Sequence, residues 1–174
     1  LRALGDKAEA RKLMQRAGLP IVPGSDDPVR DISEARRIAR RLGYPILVKA
    51  AAGGGGRGMR IVRDERELAT ALQVAQQEAQ AAFGDPSVYL ERYLERPRHV
   101  EVQILADQHG NVYAIGERDC SIQRRYQKLI EEAPAPELPA KVRRALHEAA
   151  VRGARAVGYI GAGTFEFLLD RDGN

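Results

Sequence analysis

The stretch Lys49-Ala-Ala-Ala-Gly-Gly-Gly-Gly-Arg-Gly-Met-Arg60 places a lysine at the end of an apolar run and follows it with four consecutive glycines and a fifth, Gly58, after Arg57. Ile46, Leu47 and Val48 before it read as a buried strand. Four adjacent residues without Cβ neither fill a core nor lower the entropy cost of folding. They let the backbone take positive φ and come close to a ligand. Successive N–H groups can then point into one concavity and hold the oxygens of a phosphate chain, with Lys49 and Arg57 adding charge. A glycine run also serves as a flexible linker or a hairpin tip. Met59-Arg-Ile-Val62 resumes as a strand at once, which argues for a hairpin flap over a linker between domains. The stretch is not a P-loop, which needs Lys and then Ser or Thr after its last glycine, with a helix following.

On either side of this hairpin the helix signals are regular. Asp31-x-x-Glu34 is a capping box opening a helix that stops at Gly43, and Asp64-x-x-Glu67 opens a second that runs to about Phe83. Two helices lying on an antiparallel hairpin make a small α+β lobe. Upstream, Asp6 to Ala17 reads as a helix capped by Asp6 and closed by Gly18, with Ala8, Leu13, Met14 and Ala17 on one side. Lys7 then falls in the first turn, where a cation opposes the helix dipole. It is either an ordinary exposed lysine or a partner for an anion that shares the helix N-terminus. Pro20, Pro23 and Gly24 break the chain before the lobe begins.

After Gly84-Asp-Pro86 the pattern changes to short strands. Ser87 to Tyr93 is one. In the next, Val100, Val102 and Ile104 alternate with Glu101 and Gln103, and Asn111 to Gly116 follows the turn Asp107-Gln-His-Gly110. Pro139 to Val157 has helical spacing, and Tyr159 to Leu169 is a strand with Glu166 at its apolar centre. Alternation puts Glu166 on one face with Thr164 and Leu168, opposite Phe165 and Phe167. An ionised carboxylate there either meets a cation or a metal, or lies on the wet face of an edge strand. Arg118-Asp-Cys-Ser-Ile-Gln-Arg-Arg-Tyr-Gln-Lys128 is dense in donors and reads either as a charged surface loop or as part of a site. The closing Asp172-Gly-Asn174 is hairpin-turn chemistry, so a return strand is expected to follow it.

Composition limits the class of function. The chain has 174 residues, 44% of them apolar and 30% charged, enough to bury a core in one domain or two small ones. No apolar run approaches the ~20 residues of a membrane span, and no signal segment opens the chain. The single cysteine, Cys120, forms no internal disulfide and suits a reducing compartment. A net charge of +4 raises the question of nucleic acid. The arginines are instead interleaved with acids along helices, with no aromatic platform beside them, which suits a solvated face and small polyanions such as nucleotides.

Six ordered motifs carry a resemblance that spans essentially the whole chain. Leu4-Gly-Asp-Lys-Ala8, Val48 to Arg60, Tyr89 to Gln103, Glu117 to Lys128, Glu131-Glu-Ala-Pro-Ala-Pro136 and Gly161-Ala-Gly-Thr-Phe-Glu-Phe167 together resemble the biotin carboxylase component of acetyl-CoA, propionyl-CoA and pyruvate carboxylases. The resemblance implies an ATP-grasp fold of α+β class: a linking helix over 1–20, the small lid lobe over 21–94 and the beginning of a larger, mainly antiparallel catalytic lobe over 95–174. It implies that Lys7 and Lys49 contact ATP phosphates and that Gly55 and Gly56 close over them. Glu91, Arg92, Tyr93 and Leu94 would form a hinge that holds the adenine largely by backbone groups, and His99, Gln123 and Tyr126 would be further nucleotide contacts. Tyr126 stands where histidine is most often expected, which puts that contact in doubt, and Ala51 and Ala52 replace Ser and Gly of some members. Lys128 matches the lysine that binds bicarbonate, and Glu166 the first of two acidic Mg²⁺ (or Mn²⁺) ligands.

In the family reaction bicarbonate attacks the γ-phosphate of Mg-ATP to give carboxyphosphate, and the CO₂ released carboxylates biotin. The implied partners are a biotin carboxyl carrier protein or domain, a carboxyltransferase component and a second copy as a homodimer, with no nucleic acid and no membrane. The implied compartment is the bacterial cytoplasm, with the mitochondrial matrix as the alternative. A chain that stops before the second acidic ligand is expected to be inactive alone. Two other readings are a carbamoyl-phosphate-synthetase-like ATP-grasp ligase, which would share the lid but not Arg-Asp-Cys-Ser-Ile-Gln, and a non-catalytic nucleotide-binding module.

Overall fold

Alternation decides which side of each strand is covered, and the helices follow from it. In a computed structural model that describes residues 7–52, 59–124 and 127–174, the described chain forms two compact units. The first holds 7–12 and 21–93, the second 13–20 and 94–174, so the division falls inside helix α1 (Lys7–Arg16).

The first unit contains helices α2 (Ile32–Leu42) and α3 (Glu65–Phe83) and strands β1 (Ile46–Ala50), β2 (Arg60–Val62) and β3 (Val88–Arg92). Both helices begin at the predicted caps, although each glutamate accepts from the residue before the cap rather than from the cap itself. Asp31 accepts from Glu34 N at 2.8 Å while Glu34 accepts from Arg30 N, and Asp64 accepts from Arg66 N while Glu67 accepts from Arg63 N. Both end at glycines with φ of 74° and 73°, Gly43 and Gly84, where a Cβ would be strained. Ala35, Ile38, Ala39 and Leu42 of α2 and Leu68, Leu72, Ala75 and Ala79 of α3 recur at helical spacing and are buried.

The strands beneath form an antiparallel sheet in the order β2-β1-β3, with Val48 paired to Arg60 on one side and to Leu90 on the other. The expected two-stranded hairpin thus gains a third strand. β3 falls here because Val88 and Leu90 are fully buried beside Ile46 and Val48, and a central β1 has both its edges hydrogen-bonded. The free side of β3 is tied to the 23–29 segment. Gly24 bridges to Glu91, where a Cβ would come within 2.7 Å of the Leu90 carbonyl, and Ser25 N donates to that carbonyl at 2.7 Å.

The second unit is a four-stranded antiparallel sheet in the order β6-β5-β4-β7, from β4 (Arg98–Ala106), β5 (Val112–Arg124), β6 (Gln127–Glu132) and β7 (Gly161–Leu169). Helix α4 (Ala140–Ala156) covers one face, burying Leu146, Ala150 and Ala154 against Val100, Val102 and Ile104. Phe165 and Phe167 join this core, as alternation predicts. Gly153 lets α4 approach closely, since a Cβ there would lie 2.6 Å from Phe165 Cε1 and 3.0 Å from Met14 Sδ. Of the donor-dense stretch, Arg118–Arg124 and Gln127–Lys128 are strand rather than loop: β5 continues to Arg124 and pairs with β6 through Gln123↔Lys128 and Arg124↔Gln127.

Candidate functional site

The face of the second sheet opposite α4 carries a cluster of charged side chains. On β4, Glu101 is paired with Arg118 of β5 on one side and with Glu166 of β7 on the other. Two carboxylates directly opposite one another repel, so a cation must stand between them. Lys128 of β6 does so: its Nζ bonds Glu101 Oε2 and reaches Glu166 Oε1 at 2.7 Å. Arg118 Nε donates to the other oxygen of Glu101 at 2.6 Å, and its terminal nitrogens reach Gln103 Oε1 at 3.1 Å.

The two glutamates differ in what they have left to give. Glu101 is 4% exposed and both its oxygens are taken. Burial pushes its carboxyl up, but the bonds from Lys128 and Arg118 outweigh that and the net displacement is downward. The Glu166 side chain is 53% exposed, with Lys128 on one oxygen and His99 Nε2 at 3.6 Å from the other. The His99 ring, and after it Lys128, hold the Glu166 carboxyl down to about 2 against the opposing effect of burial. Lys128, flanked by both carboxylates, is held well above the ordinary lysine range although burial opposes this. An ammonium offers three donors; two are committed among the described residues, which leaves one for an anion.

Among the described residues, one His/Cys/Asp/Glu cluster has ligand atoms close enough to share an ion: Glu101, Cys120 and Glu131. It is a poor metal site. Glu101 is already saturated, and burial, followed by the charge of Glu101, pushes the Cys120 thiol up to about 11, so it is not a thiolate at neutral pH. Glu166 has the hard oxygens and the exposure a divalent cation needs.

The first unit repeats the arrangement on a smaller scale. Ile46, Val48 and Ala50 face the helices, which puts Lys49 on the opposite side with Glu91 of β3. Lys49 Nζ lies 2.5 Å from Glu91 Oε1, and the same oxygen receives Arg11 of α1 at 3.1 Å. Arg92 turns away and donates from its guanidinium to Leu42 O at 3.0 Å, closing the end of α2. The backbone N–H groups of Arg92 and Tyr93 are bonded to Pro23 O and Pro45 O.

Of the residues singled out from the sequence, His99, Gln123, Lys128 and Glu166 are thus brought together in the second unit, and Lys49 and Glu91 in the first. Leu94 opens the second unit and is partly buried. Gly55, Gly56 and Tyr126 lie outside the described residues, and so does the side chain of Lys7. Glu101, Arg118 and Arg11 were not singled out. The alternation of Val100-Glu101-Val102-Gln103 assigns Glu101 to the polar face. That it lies opposite Glu166 needs the β4–β7 register, which no local pattern contains.

The family profile described as "Carbamoyl-phosphate synthase L chain, ATP binding domain" matches residues 6–174. "Biotin carboxylase 1, chloroplastic" of Populus trichocarpa is 55% identical over 174 residues, all of this chain and 33% of the relative. The crystal structure of a Campylobacter jejuni biotin carboxylase in complex with a β,γ-ATP ligand superimposes with a TM-score of 0.93 at 54% identity, covering 98% of this chain and 38% of that one. The Hydrogenobacter thermophilus 2-oxoglutarate carboxylase biotin carboxylase domain dimer, solved with MgADP, ADP and bicarbonate, also gives 0.93, at 51% identity over 99% of this chain and 38% of that one. The chain therefore spans 33% to 38% of the length of these relatives. Its α+β architecture of open antiparallel sheets is the ATP-grasp fold of these structures. The chain belongs to the family of the carbamoyl-phosphate synthase L chain ATP-binding domain, and within it is similar to the biotin carboxylases.

Proposed function

We propose that this chain is the nucleotide-binding portion of a biotin carboxylase, in which Mg-ATP and bicarbonate are used to carboxylate biotin held on a carrier protein. The observation that carries the reading is Lys128 set between Glu101 and Glu166 on the open face of the second sheet. An ammonium with one uncommitted donor suits bicarbonate, and the half-exposed Glu166 suits Mg²⁺, which prefers one or two carboxylates together with phosphate oxygens. Bound there, the cation would supply positive charge to the phosphates. Lys49 would serve the phosphates from the first unit, as a compact charge now held by Glu91. Lys7 and the backbone of Gly55 and Gly56 would act on the same phosphates, while Glu91 to Leu94, His99, Gln123 and Tyr126 would hold the rest of the nucleotide.

In this reading residues 21–94 are the lid lobe and 95–174 begin the catalytic lobe. A carrier protein, a carboxyltransferase and a second copy of the chain are the partners. One of the relatives is named chloroplastic, and among the described residues no helix is long and apolar enough to cross a membrane. The lone free Cys120 favours a reducing compartment such as the cytoplasm. The names of the relatives disfavour a carbamoyl-phosphate-forming ligase, despite the description of the family profile.

The test is bicarbonate-dependent ATP hydrolysis, with and without free biotin, by the longer protein that contains this chain. Biotin-stimulated turnover that falls about a hundredfold in Lys128→Met supports the assignment, on the scale of losing one preorganised donor at a reacting centre. Turnover that needs no bicarbonate, or that Lys128→Met leaves unchanged, excludes it.

A further inference from the structure

Gln123 is half-buried near the end of β5, and its side-chain nitrogen Nε2 makes two contacts, one to the backbone oxygen of Cys120 at 2.8 Å and one to Nδ1 of His99 at 2.8 Å. The first contact fixes the second. A peptide carbonyl only accepts, so the end of the amide facing Cys120 O must be the NH₂ group; the flipped amide would set two acceptor oxygens against each other. With one hydrogen on Cys120 O, the other points at the imidazole, and Nδ1 has to accept it. A neutral imidazole has one acceptor and one donor nitrogen, so the proton resides on Nε2.

That nitrogen is out of contact with solvent and, among the described residues, has no hydrogen-bond partner, and Glu166 Oε2 lies 3.6 Å away. A buried donor without an acceptor is costly, by about 1–3 kcal/mol for a typical polar group, and 3.6 Å is too long for a hydrogen bond. The ring is held on its backbone side too, where His99 N donates to Ser121 Oγ at 3.0 Å. His99 therefore presents a fixed, uncommitted N–H to the side of Glu166 that Lys128 does not reach.

We propose that Gln123 is a positioning residue that locks His99 as its Nε2–H tautomer, so that the ring offers a donor to Glu166 Oε2, or to a ligand oxygen beside it, in place of a lone pair. In the opposite tautomer a ring lone pair would face a carboxylate oxygen and repel it. The role assigned to Glu166 rests on the proposed function, whereas the tautomer does not. The experiment needs no nucleotide or metal, so its failure is distinguishable from failure of the enzymatic reading.

The test is a long-range ¹H–¹⁵N correlation spectrum of the imidazoles in the uniformly ¹⁵N-labelled 174-residue chain. It is recorded at about pH 8.5, two units above the ordinary histidine value. The chain has three histidines, and loss of one set of signals in His99→Asn assigns the ring. The expected wild-type pattern is a protonated Nε2 and an unprotonated Nδ1 on His99. Gln123→Leu, which keeps the volume and removes the donor, is expected to give an averaged tautomer mixture. Gln123→Glu, which only accepts, is expected to reverse the pattern to Nδ1–H. A wild-type ring protonated on Nδ1 overturns the proposal without any variant having to fold. An undiminished Nε2–H pattern in folded Gln123→Leu overturns it as well, by showing that the tautomer is set elsewhere.

Discussion

Glu117 and Glu166 stand in the same four-stranded sheet, and each is flanked by one histidine and one strong cation, yet they are built for different ends. Glu117 lies on the helix-covered face with its side chain 2% exposed, and accepts from Arg143 Nε at 2.7 Å and His147 Nε2 at 2.7 Å, both on α4. Glu166 lies on the open face, 53% exposed, with Lys128 at 2.7 Å and His99 at 3.6 Å. The guanidinium at Glu117 is a planar fork packed into one geometry, whereas the ammonium at Glu166 is a point charge on a flexible stem. The first carboxylate has spent its capacity in fastening a helix to a sheet. The second has oxygen to spare, exposure to solvent, and a partner able to move, which is what exchange with a cation and an anion requires.

On the helix-covered face charge is held only in pairs, as at Glu117, and placing an unpaired charge there should produce the largest effect. Val102 is fully buried under α4. Val102→Asp is expected to unfold the second unit, with a loss of more than about 4 kcal/mol from an unpaired buried charge, read by urea denaturation followed by circular dichroism. Next in size is Glu117→Gln. It leaves Arg143 and His147 without their shared anion and should cost about 3 kcal/mol at neutral pH, the low end for breaking a buried pair.

That loss has a pH dependence whose sign follows from the carboxyl. Burial pushes Glu117 up, but hydrogen bonds from Arg143 and then His147 bring it below its ordinary value of 4.5. A carboxyl depressed on folding contributes stability above its unfolded value, and that contribution is lost as pH falls through the folded value. The gap between wild type and Glu117→Gln should therefore be full at neutral pH and begin to close below about 4.5. A gap that widens on acidification would show that Glu117 is not held as an anion.

A smaller effect tests the close approach of α4. Alanine in place of glycine inside a helix ordinarily stabilises by up to about 1 kcal/mol. Gly153→Ala should instead destabilise by about 1–3 kcal/mol, because the new Cβ meets Phe165 at 2.6 Å and Leu19 and Met14 at 3.0 Å. Thermal denaturation gives the sign directly. The smallest effect is expected of Leu105→Asp, on the same strand as Val102 but on the open face at 50% exposure. It should change stability by no more than about 0.5 kcal/mol, and a loss like that of Val102→Asp would mean that the open face is covered.

What the sequence disclosed and what it hid follow the same division. The helix starts capped by Asp31 and Asp64, the two terminating glycines and the alternation of Phe165, Glu166 and Phe167 are local patterns, and each holds as read. The placement of β3 was hidden because strand pairing is a long-range choice: Val88 and Leu90 look alike whether they meet β1 or a later strand. Arg118 to Lys128 reads equally as a charged loop or as part of a site, because the stretch carries little apolar surface to mark it as strand. The regularity of its strands comes with cross-strand ion pairs that appear only once β6, β5, β4 and β7 are assembled in one sheet. Glu101 was hidden for the same reason. Its neighbours Val100 and Val102 mark its face, but nothing next to it in the sequence reveals that Lys128 and Arg118 converge on it.

The claim at the centre of this account is that the open face of the second sheet, through Glu166, takes a cation together with nucleotide phosphate, while Glu117 serves structure alone. The Mg²⁺ dependence of ATP affinity, measured by calorimetry on the wild-type chain, on Glu166→Gln and on folded Glu117→Gln, tests it most directly. The account predicts that Mg²⁺ tightens ATP binding in the wild type and in Glu117→Gln, and that Glu166→Gln loses this enhancement while its fold is retained. ATP affinity that ignores Mg²⁺ in the wild type, or an enhancement that survives intact in Glu166→Gln, would contradict it.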